Sequence, residues 1–183
     1  MSATADFGRF VGRVACALVR SPPDRDRVID EAYAVGVRSL PILLLVSAFV
    51  GTNLAVQGAS AFRPFGGQAL VGTFVALAGV REMAPIMVAS MVAAKAGTEM
   101  ASQIAVLRTG EQIDALEVMA IDPYGWLVVP RLLGILLVLP ALTVISILTL
   151  LVSAAAAAWG QLGLDPTTFV HEATRATSMA HIG

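Results

Sequence analysis

Two long runs without any ionisable side chain dominate the pattern of the chain. The first covers residues 39–62 and the second covers residues 132–164. Because a helix needs about 20 mostly apolar residues to cross the hydrocarbon core of a bilayer, each run predicts one membrane-spanning helix. We place these spans at about residues 37–58 and 126–160. Pro140 lies inside the second span, where we expect it to kink the helix without ending it.

The region between these runs is also apolar, but it carries charges and a central proline. Its charged residues are Arg81, Glu82, Lys95 and Glu99. Two arrangements fit: one long span over about residues 67–107 that is kinked at Pro85, or a half-helix followed by a second helix. No cluster of Gly, Pro and Asn between Leu70 and Ile104 offers a loop, so the pattern favours the single kinked span.

The N-terminal segment has the spacing of an amphipathic helix. Its apolar face consists of Phe7, Phe10, Val11, Val14 and Leu18. Arginines occupy the rest of its surface. This pattern is typical of a helix in the membrane interface, and a helix that packs on another protein has the same pattern. A second, charged helix follows Pro22 and Pro23 and leads into the first span. We therefore predict N-terminal interfacial and elbow helices over residues 1–36 and a transmembrane domain over residues 37–183.

The arginines also predict the orientation of the chain in the membrane. Six arginines precede the first predicted span, whereas the loop after it holds only Arg63. Because cytoplasmic loops carry the excess of positive residues, the N-terminus is predicted to be cytoplasmic. If the middle region crosses once, residues 108–124 are also cytoplasmic and the tail at residues 161–183 lies on the outer side.

Composition narrows the class of protein. The chain has 183 residues, of which 57 % are hydrophobic and only 14 % are charged, and its mean hydropathy is +0.79. This is more apolar surface than the interior of a soluble protein of this size can bury. The formal net charge of −1 provides no basic field for nucleic acid. We therefore predict an all-α membrane protein with three transmembrane helices and no nucleic-acid partner.

The chain lacks the sequence features of enzymes and metal sites. A single cysteine, Cys16, excludes an internal disulfide and any multi-cysteine metal site. No G-x-x-x-x-G-K-[ST] phosphate loop occurs, so we do not expect this chain to hydrolyse ATP. His171 and His181 lie in the tail without cysteine ligands, so neither a metal site nor a catalytic residue is predicted.

One hydrophilic segment, RTGEQIDALEVMAIDPYG, lies between the second and third spans at residues 108–125. Thr109 and Gln112 have the spacing of a capping box, which favours a short helix over about residues 109–121. Its acceptor side chains are Glu111, Gln112, Asp114 and Glu117, and its apolar residues are Ile113, Leu116, Val118 and Ala120. Four apolar side chains on so short a segment need something to cover them. The segment is either a plain connecting loop or a docking helix for a soluble partner.

Arg81 and Glu82 are the charged residues within a span that most need partners. An ionisable residue there costs about 2.5–3.5 kcal/mol on insertion scales, so it usually faces a cavity or a partner. Either the two residues face a polar cavity that can take a ligand, or they form structural ion pairs with another helix.

Two further polar pairs have a spacing of four residues. Asn53 and Gln57 share one face of the first span, where such residues often hydrogen-bond between helices, and lining of a polar path through the membrane is the alternative. Lys95 and Glu99 lie nearer the cytoplasmic end and can reach the interface, so a structural role is favoured.

Three motifs carry a resemblance to a known family. EQIDALEVMAIDP is followed by VVPR, GVRSLPILLL enters the first span, and VREMAPIMVASMVAAKAG lies in the middle span. These segments resemble the coupling segment, the entry into the first span and the L-R-E-L-G-P…A-G-R-x-G motif of the MlaE/YrbE permease family, the membrane subunits of Mla- and Mce-type ABC lipid transporters. The motifs occur in family order with family-like spacing, so the resemblance covers nearly the whole chain.

The chain also departs from the family pattern. Ala84 replaces the glycine before the proline, Lys95 replaces the arginine of A-G-R-x-G, and SQIA at residues 102–105 replaces the usual A-E-I-G. Family roles therefore do not carry over to Gln103 and Ala105. Members of the family continue through two more spans, so the chain resembles a permease that is truncated at its C-terminus.

The resemblance implies a permease subunit of an ABC-type transporter for phospholipid or a related lipid, in the bacterial inner membrane. Implied partners are an ABC ATPase subunit that binds the ATP, an MCE-domain substrate-binding protein, a second permease copy (identical or a paralogue) and membrane lipid. No cofactor is expected in this chain. The short cytoplasmic coupling helix would contact the ATPase through Glu111, Gln112, Asp114, Leu116 and Glu117. Candidates for the lipid path are Asn53, Leu54, Gln57, Arg81 and Glu82. The alternative function is a non-transporting membrane scaffold that anchors a cytoplasmic partner through the same helix.

Overall fold

The computed structural model describes residues 8–9, 11–14, 16, 25–67, 70–119, 124–162, 171 and 174–175. Nearly all of these residues are helical, and none of them lies in a β-strand. Three helices are long and apolar enough to cross a membrane: Arg25–Phe62, Leu70–Thr109 and Gly125–Gly160. The predicted all-α fold with three transmembrane helices is confirmed. Most of the predicted N-terminal interfacial helix and of the outer tail falls outside the described residues.

The first span is one helix, α1 (Arg25–Phe62), which includes the charged segment ahead of the apolar run. Pro41 lies inside α1 without ending it. A 3₁₀ turn at Arg63–Phe65 follows, and Gly66 then adopts a left-handed conformation with φ 65°. Glycine suits this position because it has no Cβ atom to clash in that conformation.

The middle region is helical from α2 (Leu70–Val75) through a π-helical segment (Ala76–Met83) to α3 (Ala84–Thr109). The irregular segment precedes Pro85, whose ring in a regular helix would clash with the carbonyl group four residues earlier. The Ala84 N–H donates to the carbonyl oxygen of Gly79, five residues back, and this wider turn leads the chain into the proline. The structure describes no loop between Leu70 and Thr109.

The third span follows a short helix. Helix α4 (Gln112–Val118) lies in the hydrophilic segment, and a π-helical turn at Tyr124–Val128 leads into α5 (Val129–Leu162). Pro140 lies inside α5. The chain divides into two compact units, one with residues 1–38 and 92–139 and the other with residues 39–91 and 140–183.

The unit with residues 39–91 and 140–183 has a core of small and branched side chains. Its buried residues are Leu54, Ala55, Ala59, Val71, Val75, Leu150, Ala154, Ala157 and Ala158. A Cβ atom on Gly51 of α1 would overlap the carbonyl oxygen of Leu150 in α5. The hydroxyl groups of Ser47 and Ser146 share a buried hydrogen bond of 2.8 Å. Close backbone approach and this hydrogen bond hold α1 against α5, as is common between membrane helices.

The unit with residues 1–38 and 92–139 repeats this type of packing at another pair of positions. A Cβ atom on Gly134 of α5 would lie 2.9 Å from the backbone nitrogen of Ala32 in α1. The guanidinium carbon of Arg27 lies 4.5 Å from the centre of the Trp126 ring. Stacking of this kind is attractive, and tryptophan is enriched at membrane–water interfaces.

Candidate functional site

Arg81 and Glu82 lie on the π-helical segment with exposed side chains. The same segment is packed on its other side, where a Cβ atom on Gly79 would lie 2.7 Å from Leu150 Cδ2 and 3.4 Å from Leu54 Cδ1. No hydrogen bond or ion pair joins Arg81 or Glu82 to any residue that the structure describes. Within the described part of the chain, two opposite charges therefore stand on an apolar span without protein counter-ions.

The backbone at these two charges is itself unusual. Eight residues, Ala76–Met83, are π-helical, whereas such turns are rare in proteins and are often found at functional sites. An exposed arginine presents a planar set of N–H donors and an exposed glutamate presents acceptors. Each of these side chains is therefore open to a ligand group of the opposite charge.

The polar residues of α1 form a second exposed group in the same unit. Gln57 Nε2 donates a hydrogen bond to Asn53 Oδ1, and both side chains are exposed. The structure thus pairs them with each other along one helix face. Leu54 is only 9 % exposed and packs in the core of the unit. The structure therefore separates Leu54 from the exposed face that carries its two polar neighbours.

The proposed coupling residues lie on a turn and on helix α4. Glu111 and Gln112 are exposed, whereas only the backbone positions of Asp114, Leu116 and Glu117, all within α4, are described. Val118 at the end of α4 is 88 % exposed and Met119 is 61 % exposed. Exposed apolar side chains beside acidic positions are what a docking surface for a soluble partner requires.

The start of this helix differs from the capping-box prediction. Thr109 ends α3 instead of beginning α4, and its hydroxyl group donates to the carbonyl oxygens of Ala105 and Val106 in the preceding turn. Gly110 and Glu111 then form a tight turn in which Glu111 has a positive φ of 55°. A non-glycine residue in this conformation is strained, and strained residues cluster at ligand clamps and switch regions.

Sequence reasoning missed a polar cluster that centres on Arg131. Its side chain is buried, and its guanidinium group donates to Glu99 Oε2 at 2.7 Å and to Gln103 Oε1 at 2.5 Å. The Nε atom of Arg131 lies 3.8 Å from Glu31 Oε2. The available signal was an arginine at the start of an otherwise uncharged span, since such a residue needs an acidic partner. Glu99 was instead paired with Lys95 on the basis of local spacing.

The fold and the polar groups define a helical, multi-pass membrane protein with exposed charges on a span. The family model described as "Permease MlaE" matches residues 28–183, and the chain belongs to this family. The prediction of MlaE/YrbE family membership is confirmed.

Curated relatives support the assignment. The "Intermembrane phospholipid transport system permease protein MlaE" of Haemophilus influenzae is 32 % identical over 149 residues, which cover 78 % of this chain and 57 % of the relative. A probable ABC transporter permease protein of Synechocystis is 29 % identical over 170 residues, or 93 % of this chain and 65 % of the relative. A probable ABC transporter permease protein of Rickettsia felis is 31 % identical over 140 residues, or 76 % of this chain and 54 % of the relative. The chain thus spans between about half and two thirds of the length of these relatives.

Proposed function

We propose that the chain is the membrane-embedded part of a permease subunit of an ABC-type transporter that moves phospholipid or a related lipid. Membership of the permease family supports this function, and the names of the relatives point the same way. The alternative, a non-transporting scaffold, is less well supported because every relative described above is named as a permease.

The observation that carries the proposal is the pair of exposed charges on the π-helical segment. A phospholipid headgroup carries an anionic phosphate and, in the common zwitterionic lipids, an ammonium group. Arg81 can pair with the phosphate and Glu82 with the ammonium group, which matches both charges. The apolar remainder of the span suits the acyl chains. Asn53 and Gln57 would provide further polar contacts on the same path.

The proposal includes partners that this chain needs for its cycle. An ABC ATPase would bind and hydrolyse the ATP and dock on the segment of Glu111, Gln112, Asp114, Leu116 and Glu117. A second permease copy would complete the lipid cavity, and an MCE-domain protein would exchange lipid with it on the outer side. The protein would lie in the bacterial inner membrane with its N-terminus in the cytoplasm. This transport needs two conformations of the path that differ in their affinity for lipid.

The proposal is tested by neutral, apolar replacement of the two charges. We would reconstitute the permease with its ATPase in vesicles and measure transfer of a fluorescent phospholipid for Arg81→Leu, Glu82→Leu and the double variant. Because a charge-assisted hydrogen bond contributes about 1.5–3 kcal/mol, each single variant should lower transfer about 10- to 160-fold. Membrane insertion and ATPase capture should persist, since the bilayer favours leucine at these positions.

Arg63→Leu is the matched control, because Arg63 is also exposed but follows the end of α1. This variant should transfer lipid like the parent protein. The double variant separates the two hypotheses for Arg81 and Glu82. Lost transfer in the double variant, with membrane insertion and ATPase capture retained, supports the lipid path. Loss of insertion or of ATPase capture in the variants, or recovery of transfer in the double variant, would identify a structural ion-pair role and overturn the proposal.

A further inference from the structure

The guanidinium group of Arg131 connects three separate parts of the chain. Arg131 lies in the first turn of α5 and is 3 % exposed. Its Nη2 donates to Glu99 and its Nη1 donates to Gln103, both of which lie on α3. Its Nε faces Glu31 on α1 at 3.8 Å, a distance that makes an ion pair but no hydrogen bond. All four residues lie within the compact unit of residues 1–38 and 92–139.

These hydrogen bonds join the two ends of the segment that carries α4. Glu99 and Gln103 precede that segment, Arg131 follows it, and the residues joined by the two hydrogen bonds are 32 and 28 positions apart in sequence. The guanidinium group therefore holds the incoming helix α3 and the outgoing helix α5 together at one place. Through Glu31 the same group reaches the beginning of α1.

An arginine can make this junction where other side chains cannot. Its planar fork directs separate N–H donors at two acceptors on one helix and keeps a third donor for another helix. A leucine would fill the same space but would not specify the relative position of the three helices. The Nε–H of Arg131 is buried and makes no hydrogen bond with any described residue. An approach of about 1 Å by the Glu31 carboxylate would reach the N–H···O distance of about 2.9 Å.

We propose that Arg131 is a positioning residue that fixes both ends of the α4 segment to each other and to the start of α1. A displacement of α4 then moves the ends of the three spans together instead of being lost in the connecting turns. That a partner ATPase supplies the displacement rests on the proposed function. The fixing of the segment is a property of this chain alone.

The test measures the position of α4 by distances between spin labels. In a cysteine-free background, labels at Val118→Cys and Ile29→Cys report on α4 and the start of α1, and both native side chains are exposed. With the permease in lipid nanodiscs, the parent should give one narrow distance distribution. Arg131→Gln should broaden it, because a glutamine cannot reach acceptors on both neighbouring helices. Arg63→Gln is the matched control and should leave the distribution narrow.

A second label pair separates positioning from general loss of structure. Phe49 and Trp159 are exposed on α1 and α5 in the other unit. A pair of labels there should keep its distribution in Arg131→Gln, whereas general destabilisation would broaden both pairs and would overturn the proposal. If Arg131→Gln does not fold, Glu99→Ala takes its place, because Glu99 is 35 % exposed and its removal leaves Gln103 and Glu31 in place.

The outcomes also distinguish this proposal from the proposed function. A narrow distribution between Val118 and Ile29 in both Arg131→Gln and Glu99→Ala would overturn the positioning role, whatever the protein transports. A parent protein that transfers no lipid in the presence of its ATPase would overturn the proposed function without affecting the distance measurement. If both proposals hold, Arg131→Gln should retain captured ATPase but lose lipid transfer.

Discussion

Replacing Gly51 with alanine tests the close contact between α1 and α5. A Cβ atom at this position would overlap the Leu150 carbonyl oxygen and the Ser153 hydroxyl oxygen, and it would lie 3.0 Å from the Leu150 carbonyl carbon. The carbonyl oxygen already accepts a hydrogen bond from the Ser153 hydroxyl group at 2.9 Å. Neither backbone atom can move unless α5 moves away from α1. The added methyl group must therefore separate the two helices.

The expected magnitude follows from two opposing terms. Alanine is better than glycine in a helix interior by about 1 kcal/mol. Adding a methyl group to a packed site costs about 1–3 kcal/mol, and a clash with backbone belongs at the upper end of that range. We therefore expect Gly51→Ala to lower the free energy of unfolding by about 2 kcal/mol.

Gly97→Ala is the matched control, because Gly97 lies inside α3 and a Cβ atom there would have no neighbour within 4 Å. Gly97→Ala should raise the free energy of unfolding by about 1 kcal/mol, because alanine is the better helix former. The two variants should therefore differ by about 3 kcal/mol, and this difference is the steric cost alone. The assay is unfolding by SDS in mixed micelles, followed by far-UV circular dichroism. Gly79→Ala should be milder than Gly51→Ala, since it meets the flexible end of the Leu150 side chain. Equal stability of Gly51→Ala and Gly97→Ala would refute the close packing of α1 on α5.

Three further predictions concern the buried serine pair, the α4 segment and the orientation of the chain in the membrane. Ser47→Ala leaves the buried Ser146 hydroxyl without its partner and should lower the free energy of unfolding by about 1 kcal/mol in the same assay. The double alanine variant should lower it no further, and a fully additive loss would contradict the pairing. Asp114→Lys should weaken capture of the ATPase in a pull-down because repulsion replaces attraction, and unchanged capture would exclude this carboxylate from the docking surface. Cysteines placed at Arg63 and Asp114 in a cysteine-free background should react with an impermeant maleimide from opposite sides of the membrane, whereas reaction of both from one side would exclude a single crossing by the middle helix.

The candidate site could be predicted only in part. Arg81 and Glu82 stood out in the sequence because charges are rare and costly inside an apolar span. The structure added that both side chains are exposed, that neither has a partner among the described residues, and that both lie on a π-helical segment. Leu54 was a candidate for the lipid path together with Asn53 and Gln57. The structure places its side chain in the core of its unit, because neighbouring residues on a helix point in different directions.

Local patterns were also incomplete where distant residues meet. The spacing of Lys95 and Glu99 favoured a structural role, and Glu99 accepts a hydrogen bond from Arg131, 32 positions away, which that spacing did not predict. Thr109 had the spacing of a cap, yet its hydroxyl group bonds back to its own helix. Sequence spacing describes what can meet along one helix, and it cannot show which side chain another helix brings closer.

The sequence by itself determined that the chain is helical and has three segments long and apolar enough to cross a membrane, because apolar runs of this length can satisfy their backbone groups in lipid as helices. Its motifs also determined the family. The tertiary structure decided how these helices meet: Gly51 against the Leu150 backbone, Ser47 with Ser146, and Arg131 with Glu99 and Gln103. The reason is physical, since hydropathy is a sum over each segment taken alone. A helix contact depends instead on which few atoms of two distant segments fit within hydrogen-bond or van der Waals distance.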